Sequence, residues 1–518
     1  MHRRTLYLII ITLLLAAYYL FMAVYLHNLE YHNLESLFYS EKSKILFEGL
    51  GNRLKVMGLT SPILPFYGSF AFTFGKFYLL SPVLASAVGT AVLFYIMANT
   101  LTKRSHDDFY LLILLVLFVF DPSLLYTASS GKSTYLVLIF FFLFFYHIIR
   151  YYKSNTTFHV SIASICLLLL IFCDYKFVWL CLFFIPLVLF ISINSLNLSE
   201  KETVFRLQQA FNNPALRRKL INKTVAIYII IFLLPIASVL IFKMLNLTHA
   251  DNFDYFLDSP YANWTVLADR LSFEQATSFG HFQASQISPL VTASIIVYCP
   301  MIVLAIYLFR HNTYQILTIA APFGFVQFLQ IKYDKIFLAH EYFLIFLVLS
   351  LLCIVFRGHR HENQRLMKSL IAVLTVVQVI TGYYFLKNSL IAEERDYVNT
   401  LFNRTPNDNE AESREIASFL NTLPDNEQIL VDDAIAYPVV AFTHHIGRLT
   451  LPYQETYLSA SEAPERYVNY ILIATDRNPL TGYTQLNNKY LPAIRKSDNR
   501  LNLQKVYETD NWILYKVL

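Results

Sequence analysis

The sequence is short of charge. Only 15% of its 518 residues are Asp, Glu, Lys or Arg, while 56% are hydrophobic and 16% aromatic, and the mean hydropathy is +0.45. So little charge cannot cover the surface of a soluble globule of this size, which excludes that class and leaves a polytopic membrane protein. Cysteine is scarce as well. Cys166, Cys173, Cys181, Cys299 and Cys353 all fall in or at the edge of apolar stretches, so the external segments carry no disulfide framework and the thiols read as small packing groups. The net charge of +5 is modest and asks for no nucleic acid, because much of the basic excess lies in anchoring loops.

Long apolar runs are what the chain has in excess. A window of about 20 residues finds eleven, at roughly 5–26, 79–101, 108–127, 133–150, 158–173, 176–194, 224–245, 288–309, 314–331, 337–356 and 367–388. The first is about 20 residues long, ends in Tyr18, Tyr19 and Tyr25, and lacks a small-x-small cleavage site, so it reads as an anchor rather than a signal peptide. Lys and Arg are retained on the cytoplasmic side. Placing the basic start (Arg3, Arg4) inside also puts Lys103-Arg104, Arg150 with Lys153, the run Arg206, Arg217, Arg218, Lys219 and Lys223, then Arg310, Arg357, Arg360 and Arg365 inside. An odd number of spans leaves the tail, 389–518, on the extracytoplasmic face.

The expected division is therefore a transmembrane region over 1–388, with long external loops at 27–78 and 246–287, and a separate soluble domain over 389–518. In the first loop, Leu34, Leu37, Phe38, Glu41, Ile45 and Glu48 recur at helical spacing and predict a helix lying on the membrane with an apolar underside. In the tail, Arg414–Leu423 has helical periodicity, Gln428–Val431 is a short strand, and Ala434–Phe442 is a helix. Arg448–Pro452 and Tyr470–Ala474 then read as strands, and Leu503–Glu508 with Trp512–Val517 as a terminal hairpin. This alternation predicts a small α/β sandwich with a mixed sheet. The tail has neither a Gly-rich phosphate loop nor metal-ligand spacing, and His444-His445 alone is a weak metal signal.

Three stretches carry a resemblance. They are Asn33-Leu34-Glu35-Ser36-Leu37-Phe38-Tyr39 through Leu46-Phe47-Glu48-Gly49, then Ser61-Pro62-Ile63-Leu64-Pro65-Phe66, then Asp121-Pro122 with Ser129-Ser130-Gly131-Lys132-Ser133. With the one-span, long-loop, many-span, external-tail layout, they are similar to the GT-C glycosyltransferases, in particular bacterial members related to protein O-mannosyltransferases and lipid A aminoarabinose transferases. The tail segments 429–443, 448–453 and 470–475 are also similar to tails of such enzymes. The resemblance implies an integral enzyme of a bacterial inner membrane, moving a sugar from a polyprenyl-phosphate donor to an extracytoplasmic acceptor. Where the family carries an Asp or an Asp-Glu pair in the first loop, this chain offers only Glu35. Where it carries a late Arg for the donor phosphate, this chain has Lys332 and Lys335, followed by His340, so point charges would take the place of a bidentate fork.

Transfer from a polyprenyl phosphate needs a carboxylate to take the acceptor's proton and cations to neutralise the departing phosphate, so a divalent cation is compatible but not required. Glu35 is the expected base, with Asp121 and Glu30 as further catalytic candidates, and Tyr39 four residues on shares the Glu35 face. Lys132, Lys176, Arg270, Lys332, Lys335 and His340 are the expected substrate-binding groups. Each has a plainer reading beside it. Glu35 also fits an exposed carboxylate on an interfacial helix, and Asp121 a helix N-cap ahead of Pro122. Asp174 beside Lys176 fits a charge pair closing a turn, and a single Lys an interfacial anchor. The acids and aromatics of 246–287, from Asp251 through Trp264 to His281, fit sugar binding or a solvated lid. Two other classes remain in view, a transporter or flippase and an envelope-assembly protein. The first expects charged or broken spans and an internal repeat, but no repeat is found and the spans are almost free of charge. The catalytic reading requires Glu35 to face a cavity shared with Asp121 or an external lysine; a side chain aimed at lipid or bulk water contradicts it.

Overall fold

The computed structural model describes residues 3–48, 50–73, 77–105, 107–154, 156–194, 196, 203–262, 284–310, 313–333, 340–358, 363–389, 391–404, 409–495 and 502–518. All eleven apolar stretches are helical over most of their described residues. They are α1 (Arg3–Asn28), α4 (Ser81–Thr102), α5 with α6 (Asp108–Phe120 and Pro122–Ser129), α7 (Thr134–Ser154), α8 (Thr157–Cys173) and α9 (Leu180–Asn194). After α10 (Thr203–Asn212) come α11 (Pro214–Ala250), α12 with α13 (Ala284–Tyr298 and Met301–Phe309), α14 (Thr313–Tyr333), α15 (His340–Arg357) and α16 (Gln364–Lys387). The expected count of eleven spans is not confirmed. By length and composition eight helices among the described residues can cross a membrane, or ten if the bent pairs α5–α6 (62°) and α12–α13 (91°) each count as one. Both bends fall where a proline, Pro122 or Pro300, removes a backbone donor. Helix α8, with 17 residues, is shorter than the usual crossing length.

Helix α15 forms the centre of the bundle, with every residue from Tyr342 to Phe356 buried, whereas α1 and α11 present Leu13, Leu14, Phe21, Leu233, Leu240 and Ile241 outward. A helix apolar all round suits the first place, and an outward apolar face suits contact with lipid.

The tail is a small α/β unit. Its strands are β1 (Ile429–Leu430), β2 (Leu449–Thr450), β3 (Tyr470–Ala474), β4 (Leu503–Glu508) and β5 (Trp512–Val517), in the order β2-β1-β3-β5-β4. The β1 strand runs parallel to β2 and β3, and β5 runs antiparallel to β3 and β4, which is the mixed sheet expected. Around it lie α17 (Ala392–Asn403), α18 (Ala411–Thr422), α19 (Asp433–Phe442), α20 (Thr456–Glu462) and α21 (Gln485–Arg495).

The first-loop helix α2 (Leu34–Glu48) corrects an expectation. It was expected to lie on the membrane with one apolar face, but every residue from Leu34 to Ile45 is buried, including Glu41, Lys42 and Lys44. Its neighbours are α19 on one side and α3 (Ile63–Phe70) with α4 on the other, and Ile45 and Val56 belong to the apolar core of the tail. Charge enters this interface in paired form. Lys42 Nζ lies 2.8 Å from Glu41 and 2.7 Å from Asp433 of α19, and donates to the Tyr453 hydroxyl at 2.6 Å. Burial disfavours the Lys42 charge, but Asp433 and Glu41 outweigh it and hold its pKa above the usual value. Burial pushes Glu41 well above the carboxylate range against the pull of Lys42, and the nearby Asp433 adds to the rise. Lys44 donates to the carbonyls of Ala441 and, at 2.8 Å, Thr443, where α19 ends, a position that favours a cation. Past the helix, Gly51 adopts φ +74°, and a Cβ there would lie 2.2 Å from the Tyr453 carbonyl oxygen.

Breaking a buried ion pair on one side leaves its partner, here Asp433, without a compensating charge. Lys42→Met is expected to lower stability by about 3–5 kcal/mol, and the triple change Glu41→Gln/Lys42→Met/Asp433→Asn to recover most of that. Thermal unfolding of the purified protein in detergent checks both; equal losses in the single and triple variants would contradict the account.

Candidate active site at the start of the first-loop helix

Asn33 caps α2, its side-chain oxygen accepting from the backbone N–H of Glu35 (3.0 Å) and Ser36 (3.4 Å). Glu35, in the first helical turn, is where the helix dipole favours a carboxylate. Only 7% of it is exposed. Its Oε1 accepts from the backbone N–H of Ser133 at 3.3 Å and from the Ser133 hydroxyl at 2.5 Å. The loop that brings Ser133 here follows α6 and turns at Gly131, whose φ of +83° is open to glycine. A Cβ at Gly131 would sit 2.7 Å from Ser36 Oγ, so the missing side chain is what lets this loop lie against α2.

Between Gly131 and Ser133 stands Lys132. Burial disfavours its charge, but the carboxylates of Glu35, Glu341, Glu393 and Glu394 outweigh it and raise its pKa. Among the described residues it makes no ion pair within 4.0 Å. It is a cation amid four acids, with its ammonium 6.0 Å from the centre of the Tyr126 ring.

The acids around it are tied down individually. Glu393, in the first turn of α17, accepts from Leu34 N–H at 2.9 Å and from Asn33 Nδ2 at 3.0 Å. Glu394 accepts from His340 N–H and pairs with His340 Nδ1, both at 2.9 Å, and takes the Ser389 hydroxyl at 2.5 Å. The N-termini of α2 and α15 are thus each met by a carboxylate from the first turn of α17, the arrangement their unpaired N–H groups favour. Glu341 faces Lys176 at 3.7 Å, and Lys176 lies 2.9 Å from Asp174.

Of the residues expected at the site, Glu35, Lys132, Lys176 and His340 belong to this one polar cluster. Glu35 is buried against the loop that carries Lys132. Others stand apart. Glu30 (φ +63°) is paired with Arg414 of α18 at 3.2 Å. Asp121 caps α6, accepting from Ser123 and Leu124 N–H at 3.0 and 3.1 Å, and its neighbours are Gly382, Gln378 and Tyr298 rather than Glu35. Tyr39 is fully buried, with its ring edge-on to Phe38. Exposed Lys332 stacks over Trp179, 4.0 Å from the ring centre, in the manner of an interfacial anchor. Arg270 and Lys335 lie outside the described residues, as do Trp264, Asp269, Glu274 and His281 of the second external loop; Asp254, which is described, pairs with Lys243 at 2.5 Å. Among the described residues no three His, Cys, Asp or Glu side chains are placed to hold a metal ion.

Three members of the cluster were not read from the sequence: Glu341, Glu393 and Glu394. Glu393-Glu394 follow the last span closely and open a helix, a first-turn acidic signal that hydropathy and motif spacing pass over.

No protein-family profile matches the chain, and no curated protein matches it in sequence. Solved structures do match its shape. ArnT from Cupriavidus metallidurans bound to undecaprenyl phosphate is 11% identical, with a TM-score of 0.53 over 98% of this chain and 97% of that one. The same protein in the apo state is 12% identical, with a TM-score of 0.52 over 97% of each chain. The chain has the GT-C fold. The agreement covers nearly the whole of both chains, the tail included.

Gly131→Ala tests the close approach of the Gly131 loop to α2. It forces a side chain into a left-handed conformation and against Ser36, and is expected to lower the unfolding temperature by an amount corresponding to about 1–3 kcal/mol. An unchanged melting curve would mean that the loop does not lie on α2.

Proposed function

We propose that the chain is a glycosyltransferase of a bacterial plasma membrane that takes a sugar from a polyprenyl phosphate and passes it to an acceptor on the extracytoplasmic face. The observation that carries this reading is the juxtaposition of buried Glu35 with Lys132, a cation without an ion-pair partner among the described residues, in a GT-C fold. ArnT's structure with undecaprenyl phosphate supports the class of donor.

In this reading the lipid enters between spans and its phosphate meets Lys132 at the membrane surface, with Lys176 as the second cation of the cluster. Glu35 accepts the proton of the acceptor's hydroxyl or amine as that atom attacks the anomeric carbon, and the bond to the phosphate breaks. The leaving phosphate needs no protonation, so a single carboxylate suffices for one inverting displacement. Lys132 balances the negative charge that grows on the phosphate oxygens, and burial among protein groups strengthens that effect. The Ser133 hydrogen bonds aim the Glu35 carboxylate, while α17, through Glu393 and Asn33, fixes the helix that carries it. The excess of positive residues in 206–223 and 357–365 supports a cytoplasmic location for those loops and an extracytoplasmic tail.

Purified protein supplied with a panel of polyprenyl-phosphate sugars and an envelope extract as acceptor is expected to transfer one of them. Glu35→Gln is expected to lose about 10²–10⁴-fold in kcat, the scale of a general base, with its melting temperature nearly unchanged. Transfer undiminished in Glu35→Gln would overturn the role of Glu35, and no transfer from any donor by the unaltered protein would favour transport or assembly.

A further inference from the structure

Helix α11 has 37 residues, about 55 Å at 1.5 Å per residue, nearly twice the roughly 30 Å of a bilayer core. Its charges show where the membrane sits. Residues 224–242 contain no Asp, Glu, Lys or Arg, and Lys223 and Lys243, which bracket them, are 20 positions and so about 30 Å apart. At one end Lys243 has a partner, Asp254, at 2.5 Å. At the other end the cations have no ion-pair partner among the described residues. Residues 203–250 include no acid, and among the described residues Arg217, Arg218, Lys219 and Lys223 enter no ion pair.

The packing turns these side chains outward. Leu207 and Ala210 of α10 and Leu220 of α11 close an apolar cluster with Ile193 of α9 and Leu196 just beyond it, which leaves Arg217, Arg218 and Lys219 exposed. Exposed Phe211, Ile221 and Val225 stand beside them, and α11 itself is mostly uncovered by the rest of the bundle. A row of cations one turn before a lipid-facing apolar stretch, flanked by exposed apolar side chains, lies at headgroup depth on the outer edge of the protein.

We propose that this end of α10 and α11 binds the phosphodiester headgroups of anionic phospholipids in the adjoining leaflet. The complement is one of charge: four cations, no acid within residues 203–250, and a neighbouring face already committed to lipid. Each Lys or Arg near an anionic surface strengthens binding by roughly fivefold, so three together give about a hundredfold at low salt.

The intact protein in detergent, titrated with phosphatidylglycerol or phosphatidylcholine and examined by native mass spectrometry, tests this. The unaltered protein is expected to retain phosphatidylglycerol in preference to phosphatidylcholine, with retention falling as salt rises. Arg217→Gln/Arg218→Gln/Lys219→Gln is expected to lose at least tenfold in phosphatidylglycerol retention. Arg217→Lys/Arg218→Lys, which keeps the charge, and the distant tail pair Lys489→Gln/Lys505→Gln are expected to behave as the unaltered protein does. Inorganic phosphate in excess is expected not to compete, since a free anion lacks the acyl chains that hold the headgroup in place; competition would identify a phosphate site instead. Retention unchanged in the triple variant, insensitivity to salt, or equal retention of the two lipids would overturn the proposal. Should the triple variant fail to fold, the salt and lipid comparisons on the unaltered protein decide the matter.

Discussion

The structure depends on how α2 is held. A 15-residue helix is marginal in water by itself, and this one carries Glu35, Glu41, Lys42, Lys44 and Glu48 among too few apolar residues to anchor it in lipid. It is ordered because it is walled in by α3 and α4 on the membrane side and by α19 on the tail side. Lys42, set between Glu41 and Asp433, makes that interface specific rather than merely apolar: a shift of one turn would separate the charges inside a dry interface, where an unpaired charge is costly.

The polar cluster inherits its order from this packing. Once α2 is fixed, its N-terminus has unpaired N–H groups to satisfy, and Asn33 and Glu393 satisfy them. The same turn of α17 supplies Glu394 to the start of α15, so two helices distant in sequence are registered by adjacent residues. The first helix of the tail, α17, therefore contributes to the site's framework. The arrangement commits the carboxylates of Glu393 and Glu394 to backbone N–H groups while Lys132 stays outside any close ion pair among the described residues, which suits a group that must receive the charge of a ligand.

Much of this was legible in the sequence, for identifiable reasons. The apolar stretches announced their helices because membrane burial imposes one composition over about 20 residues. The tail strands Tyr470–Ala474, Leu503–Glu508 and Trp512–Val517 appeared at their expected bounds because a hairpin and a buried strand leave short, local patterns. Prolines marked the breaks at Asp121-Pro122 and Cys299-Pro300 in the sequence, but their bend angles of 62° and 91° are not legible in hydropathy. The burial of α2 was hidden too, since helical periodicity reports that one face is apolar and not what covers the other; the cover comes from Asp433 and Ala441, nearly 400 residues later. Glu35 and Lys132 were found through the chemistry they would serve, whereas Glu393 and Glu394 act on backbone N–H groups whose positions only the folded chain defines.

The central claim is that the helix start bearing Glu35, together with Lys132, forms the place where a lipid-linked phosphate is received. A structure of the protein with a polyprenyl phosphate bound measures this most directly. The account predicts the phosphate within hydrogen-bond reach of Lys132 Nζ, with the Glu35 carboxylate facing the side from which an acceptor would approach. A phosphate seated elsewhere in the bundle, with Lys132 untouched, would contradict it.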